Sequence, residues 1–87
     1  MSQIVYSKGF LKSVKAIPKE CQRKLSKLLE IFQEQPFHSL LHTKHLSGEL
    51  SGFLSFRITR DWRVIFRFES PEVIKLIRVA NRKDIYR

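Results

Sequence analysis

Acidic residues are scarce in this chain, glycine and proline are few, and cysteine is almost absent. Asp and Glu number 8 against 17 Lys and Arg, a formal net charge of +9 over 87 residues. Charge of one sign strains a compact state by self-repulsion. Solubility alone therefore explains it less well than an anionic partner: nucleic acid, an acidic protein, or both. The lone Cys21 excludes an intrachain disulfide and reads as a small helix residue rather than a reactive thiol. There is no Gly-rich phosphate loop, no nucleophilic Ser/His/Asp set and no paired carboxylate, Glu49 and Asp61 standing alone. NTPase, hydrolase and glycosidase readings thus have no support. No apolar run approaches a membrane span. The first residues contain no apolar stretch of the kind a signal peptide needs, so the cytoplasm is the default location. A membrane surface fits poorly as partner, because no segment is a long basic amphipathic helix without core duties.

Against these absences stands a hydrophobic content of 43%, enough for a folded chain. Its length fits a single domain over residues 1–87. A core that small requires every regular element to contribute a buried face. Residues 3–6 read as a short strand. Ser7 can cap a helix reaching about Ile17, with Phe10, Leu11, Val14 and Ile17 on one face. Pro18 stops that helix or opens the next. The second helix runs to about Gln35, with Leu25, Leu28, Leu29 and Phe32 as its apolar stripe, and Pro36 ends it. Residues 37–50 are polar, with three histidines. Three strand-like runs follow, at 53–59, 62–69 and 73–80, with Ser70-Pro71 as the turn between the last two. The order β-α-α-β-β-β predicts an α+β fold, a helical hairpin packed on one face of a mainly antiparallel, twisted sheet.

Alternation fixes a register. Leu54, Phe56 and Ile58 share one face, and Trp62, Val64, Phe66 and Phe68 share another. Burying both sets together places Ile58 opposite Trp62 and Arg57 opposite Arg63, with an odd-length loop around Arg60. Arg57, Arg63 and Arg67 are then expected on the exposed face. Like charges directly across a ladder repel, which a protein tolerates most easily if an anion sits between them. The alternative is a row of ordinary solvated arginines. The last strand is ambiguous: Ile74, Leu76 and Ala80 accompany Arg78 on one face, and Val73, Ile77 and Val79 accompany Lys75 on the other.

Arginine suits an anion site because its planar fork grips phosphate oxygens and stays charged. His38, His42 and His45 cluster in the polar segment. The lone cysteine lies on a helix and no carboxylate sits at ligand spacing, so neither a metal nor another cofactor is expected. These histidines are surface loop residues or proton-transfer groups. Lys44 lies between two of them. Tyr86 is a core anchor, a stacking ring or a proton donor.

The string Leu46-Ser-Gly-Glu-Leu-Ser-Gly52-Phe-Leu-Ser-Phe-Arg57-Ile, then Trp62-Arg63-Val-Ile-Phe66, then Arg78-Val-Ala-Asn-Arg82-Lys-Asp-Ile-Tyr86-Arg87 resembles the RelE/ParE toxin superfamily, the small basic toxins of bacterial type II toxin–antitoxin modules. The resemblance covers nearly the whole chain and includes the helical hairpin. In the RelE-like branch it implies a ribosome-dependent endoribonuclease that cleaves mRNA without a metal, by attack of the RNA 2′-hydroxyl on the adjacent phosphate. It also implies an acidic antitoxin bound in a hetero-oligomer. By the same resemblance Arg63 is the transition-state stabiliser and Arg57 a phosphate contact. Arg82 and Tyr86 fall on the basic and aromatic positions of the C-terminal motif. Lys44, with His45 as neighbour and possible substitute, falls near the position that handles the proton, and Asp61 resembles an acidic turn residue of the YafQ-like branch. Arg60, Arg67, Lys83 and Arg87 complete the cations expected to hold RNA. One departure stands out: many relatives carry a histidine where this chain has Asn81, which shifts the acid's role toward Tyr86, Lys44 or the loop histidines. Two other readings share these features, a ParE-like gyrase poison and a non-catalytic RNA-binding module.

Overall fold

The computed structural model describes residues 2–85. Strand β1 (Gln3–Tyr6) leads into helix α1 (Lys8–Ala16), and helix α2 (Lys19–Glu34) follows. Ser7 starts α1, its Oγ accepting from the Phe10 N–H at 3.0 Å, and Pro18 occupies the cap position of α2. A 3₁₀ turn (Ser39–Leu41) leads to the short strand β2 (Lys44–His45). A second 3₁₀ turn (Gly48–Leu50) precedes β3 (Leu54–Arg57), β4 (Trp62–Ser70), β5 (Val73–Asn81) and a closing turn of helix, α3 (Arg82–Ile85).

The five strands lie in the order β1-β5-β4-β3-β2. Only β1 and β5 run parallel; the other pairs are antiparallel. The expected α+β architecture holds. Strand β2 and helix α3 are additions to the expected order, both too short to leave a periodic pattern.

Both helices pack on one face of the sheet. Phe32 of α2 sits fully buried against Phe56 and Phe66, ring centroids 4.7 and 4.8 Å away. Aromatic pairs at that spacing contribute beyond their area burial. Cys21 is buried in this layer. Among the described residues no helix is long and apolar enough to cross a membrane.

The register of β3 and β4 is the one alternation required: Leu54 opposite Phe66, Phe56 opposite Val64, and Arg57 opposite Arg63. The Ile58 N–H donates to the Trp62 carbonyl at 2.9 Å, so the turn spans residues 59–61. Strand β5 resolves its own ambiguity. Ile65 faces Arg78, but its neighbour Phe66 faces Leu76, so Ile77 is an extra, bulged residue. The bulge switches the frame. Ile74, Leu76 and Val79 enter the helix-side core, while Lys75, Ile77, Arg78 and Ala80 go to the other face.

Strand β1 covers β5 only as far as Leu76, and α1 takes over from there. The Ser7 hydroxyl donates to the Ile77 carbonyl at 2.8 Å, and Ser13 Oγ accepts from the Val79 N–H at 2.8 Å. Two serines thus satisfy a strand edge that no strand reaches. The close approach also restricts Gly9, where a Cβ would lie 3.3 Å from the Ile77 carbonyl.

Candidate functional site

The face opposite the helices is organised in rows by the strand register. One row holds Arg57, Arg63 and Ala80. The next holds Lys44, Ser55, Ile65 and Arg78. Farther along, Arg67 lies opposite Lys75. Facing residues in a ladder project to the same side, so Lys44, Arg57, Arg63, Arg67, Lys75 and Arg78 share one face.

That face is not the open surface expected from alternation. Leu46, Ile65, Ala80 and Ile85 form a second buried cluster, with Leu50, Phe53 and Ile77 packed on it. The segment from β2 to β3 and the helix α3 therefore lie over part of the sheet. Arg63 is 9% exposed, a buried residue rather than an exposed one. The correction has a physical cause: apolar residues in segments with no clear period still need cover, and they take it from the remaining sheet face. A preorganised cation in a partly water-excluded site acts more strongly on a developing charge than one in bulk solvent. Arg63 and Lys44 are both engaged in further contacts within the chain.

Arg67 belongs to the other end of the face. Its Nη2 lies 3.4 Å from Glu69 Oε1, and its guanidinium carbon sits 5.8 Å from the Phe53 ring centroid. Ser55 is fully buried, and its Oγ has no hydrogen-bond partner among the described residues.

The C-terminal motif is drawn to the Arg57–Arg63 end. The Arg82 N–H donates to the Asp61 carbonyl at 2.7 Å, tying the start of α3 to the β3–β4 turn. Asp61, Asn81, Arg82 and Lys83 line one cleft there, and Arg60 is exposed on the same turn. Asn81 caps α3, its Oδ1 accepting from the Lys83 N–H at 3.1 Å. That cap explains asparagine at a position where the resemblance expects histidine, and Asn before Arg82-Lys83-Asp84 was a legible helix-start signal. Tyr86 and Arg87 lie outside the described residues.

The histidines disperse. His45 pairs with Leu54, a core-face residue, so it projects to the helix side, away from the arginines. There its ring stands 6.3 Å from that of Phe37, which is stacked on Phe68. The expectation that His45 substitutes for Lys44 fails on parity: one residue along a strand reverses the face. His38 Nδ1 accepts from the Leu40 N–H at 3.1 Å, serving as a local cap. His42 is exposed with left-handed backbone, φ 48°. Among the described residues no group of three or more His, Cys, Asp or Glu side chains is placed to hold a metal ion.

Taken together, Arg57, Arg63 and Lys44 share a face, and Arg82 and Lys83 stand at the same end of the sheet. Such a set can grip a phosphodiester and neutralise added charge on it.

Comparison with known proteins agrees with this fold. A family model described as the ParE toxin of type II toxin–antitoxin systems, parDE, matches residues 4–86. Toxin RelK of Mycobacterium tuberculosis is 33% identical over 61 residues, covering 70% of this chain and 72% of that protein. The crystal structure of YafQ from E. coli superposes with a TM-score of 0.80 at 20% identity, over 100% of both chains. A chain of the archaeal RelE–RelB complex from Pyrococcus horikoshii superposes with a TM-score of 0.75 at 22% identity, over 93% of this chain and 94% of that one.

Proposed function

The chain belongs to the ParE toxin family of type II toxin–antitoxin systems, and from that premise we propose that it is a ribosome-dependent endoribonuclease acting on mRNA in the cytoplasm. The observation that carries the reading is the Arg57–Arg63 pair, directly opposed on one sheet face, with Arg63 buried and Arg82 tied to the adjoining turn. Two like charges held face to face are costly without an anion between them.

In the proposed reaction the RNA 2′-oxygen attacks the neighbouring phosphorus and its proton passes to a base. The bond from phosphorus to the 5′-oxygen breaks, and an acid protonates that oxygen. The products are a 2′,3′-cyclic phosphate and a free 5′-hydroxyl. Arg63 meets the negative charge that grows on the phosphoryl oxygens, Arg57 grips the phosphate, and Arg82 and Lys83 hold the flanking backbone. Lys44 and Tyr86 handle the protons; Lys44 shares the arginine face. The chain's own cations supply the charge stabilisation, so the reaction is proposed to proceed without a metal.

Relatives whose solved structures are toxin–antitoxin complexes, RelE–RelB among them, support a hetero-oligomer with an acidic antitoxin. Charge complementarity with this chain would speed association and make it salt-sensitive. The experiment is cleavage of a short mRNA on programmed ribosomes, run beside a gyrase supercoiling assay. Inhibition of gyrase without cleavage would assign the chain to the gyrase-poison reading instead.

A further inference from the structure

The two edges of the sheet differ in how they are guarded. The β2 edge is two residues long and carries Lys44, and shortness and charge both discourage pairing with another chain. The β1 edge has neither charge nor proline in its sequence, Gln3-Ile-Val-Tyr6, and its pairing with β5 runs without a bulge. The Gln3 N–H donates to the Glu72 carbonyl at 2.8 Å and the Ser7 N–H to the Leu76 carbonyl at 3.2 Å. By strand alternation the N–H and C=O of Ile4 and Tyr6 therefore point outward. No backbone group from another segment meets them among the described residues.

The surroundings of this edge are apolar or neutral. Of the five large apolar side chains exposed among the described residues, three lie here: Val5 at 38%, Tyr6 at 48% and Leu11 at 52%. Tyr6 and Leu11 line a cleft of about 410 Å³ with Gln22, Ser26 and Leu29, and Lys15 is its one charged lining residue. RNA or an acidic protein would be met by a cluster of cations. In a chain of net charge +9, a nearly uncharged strip is where a second copy approaches with least repulsion.

We propose that two copies of this chain pair through β1, antiparallel about a two-fold axis, and join their sheets into one. Such an interface must be self-complementary, and facing residues must project to the same side. Ile4 and Tyr6 face Ile74 and Leu76 and so belong to the helix side, whereas Gln3 and Val5 project to the other. Setting Ile4 of one copy opposite Tyr6 of the other meets this parity and leaves Val5 facing its own copy on the axis. Both Ile4–Tyr6 pairs then exchange two hydrogen bonds each. The register with Ile4 facing Ile4 would oppose Tyr6 to Ser2, whose N–H already donates to the Gln33 carbonyl at 3.1 Å. Pairing also lays the exposed Tyr6 ring of each copy beside Ile4 of the other. The axis stands normal to the sheet, so both Arg57–Arg63 faces lie on the same side and neither is covered. A four-residue edge buries an area at the low end for specific complexes, so the dimer is reversible. The pairing stands independently of the nuclease reading.

The test is sedimentation of the full-length chain over a ~hundredfold concentration range at ~0.15 M salt, where the Debye length is ~8 Å. Wild type should pass from monomer to dimer as concentration rises. Val5→Lys opposes two like charges on the axis and should weaken the dimer at least ~tenfold. Tyr6→Lys should do so from the helix side. A disulfide checks the register. Val5→Cys places two thiols on the axis with Cα atoms ~4.5 Å apart, within disulfide reach, and should cross-link on mild oxidation. Gln3→Cys leaves its two copies about 13 Å apart along the strands and should not. The native Cys21 is buried. A chain that stays monomeric throughout, with no cross-link from Val5→Cys, overturns the proposal. So does a dimer that both lysine variants leave intact, or equal cross-linking by Val5→Cys and Gln3→Cys. A monomeric chain in which Val5→Lys instead weakens binding of a copurifying acidic protein also overturns it and assigns the edge to that protein.

Discussion

Replacing Arg57 by glutamine should make the protein more stable and less active, and the two effects can be sized separately. Arg57 and Arg63 are directly opposed and, with the neighbouring Ile58–Trp62 pair hydrogen-bonded, form a non-hydrogen-bonded pair. In that geometry the Cα atoms lie ~4.5 Å apart and the side chains approach closely. If the guanidinium groups splay to ~7 Å at an effective dielectric of ~40, their repulsion is ~1 kcal/mol. Lys24 and Arg60 line one cleft together with Arg57 and add charge of the same sign. For a chain this size ~1 kcal/mol corresponds to a rise of roughly 4–8 °C in Tm. The rise should be largest near ~10 mM salt, where the Debye length is ~30 Å, and largely vanish near ~1 M, where it is ~3 Å. Cleavage should slow by about 10- to 100-fold, the equivalent of one charge-assisted contact at ~1.5–3 kcal/mol. The assay is thermal melting of wild type, Arg57→Gln and an exposed control, Lys12→Gln, at both salt concentrations, beside ribosome-programmed cleavage. A lower Tm for Arg57→Gln at low salt, or a rise that ignores salt, would refute the argument that the pair is held at an electrostatic cost for function.

Three further substitutions probe the scaffold. Ser13→Ala leaves the Val79 N–H without its partner at the uncovered edge of β5, and chemical denaturation should show a loss of ~1–3 kcal/mol. Ser55→Ala removes a buried hydroxyl that has no hydrogen-bond partner among the described residues, so stability should hold or rise slightly; a clear fall in Tm would show that the hydroxyl has a partner in solution. Asn81→Ala removes the cap of α3 and should cost ~0.5–2 kcal/mol. Its pH–rate profile should match wild type, since the side chain is a cap and not an acid; a shifted profile would contradict that assignment.

The sheet register was legible because both β3 and β4 carry large apolar sets, and only one parity buries both. The same logic could not decide β5, because the bulge at Ile77 changes the side-chain frame halfway along the strand. A bulge leaves no mark in alternation except ambiguity, which is what residues 73–80 display. Reading Arg63 as exposed treated the second face as solvent. Leu46, Leu50, Phe53 and Ile85 cover it instead, from segments too short to reveal a period. The contrast between Lys44 and His45 was hidden for the same reason: β2 has two residues, and assigning faces requires knowing that it is a strand. The opposed placement of Arg57 and Arg63 was readable from pattern. The open edge of β3 at Arg57 was not, since it depends on where β2 stops pairing.

The most direct test of the account is the chemistry of the RNA ends produced on programmed ribosomes, comparing wild type with Arg63→Ala. The reaction includes EDTA at a level that leaves enough magnesium to hold the ribosomes together. Wild type should yield fragments bearing 2′,3′-cyclic phosphate and 5′-hydroxyl ends. The rate for Arg63→Ala should be roughly 100- to 1000-fold lower, the loss of ~3–4 kcal/mol of transition-state stabilisation. Ends bearing a 5′-phosphate, or cleavage undiminished in Arg63→Ala, would contradict it.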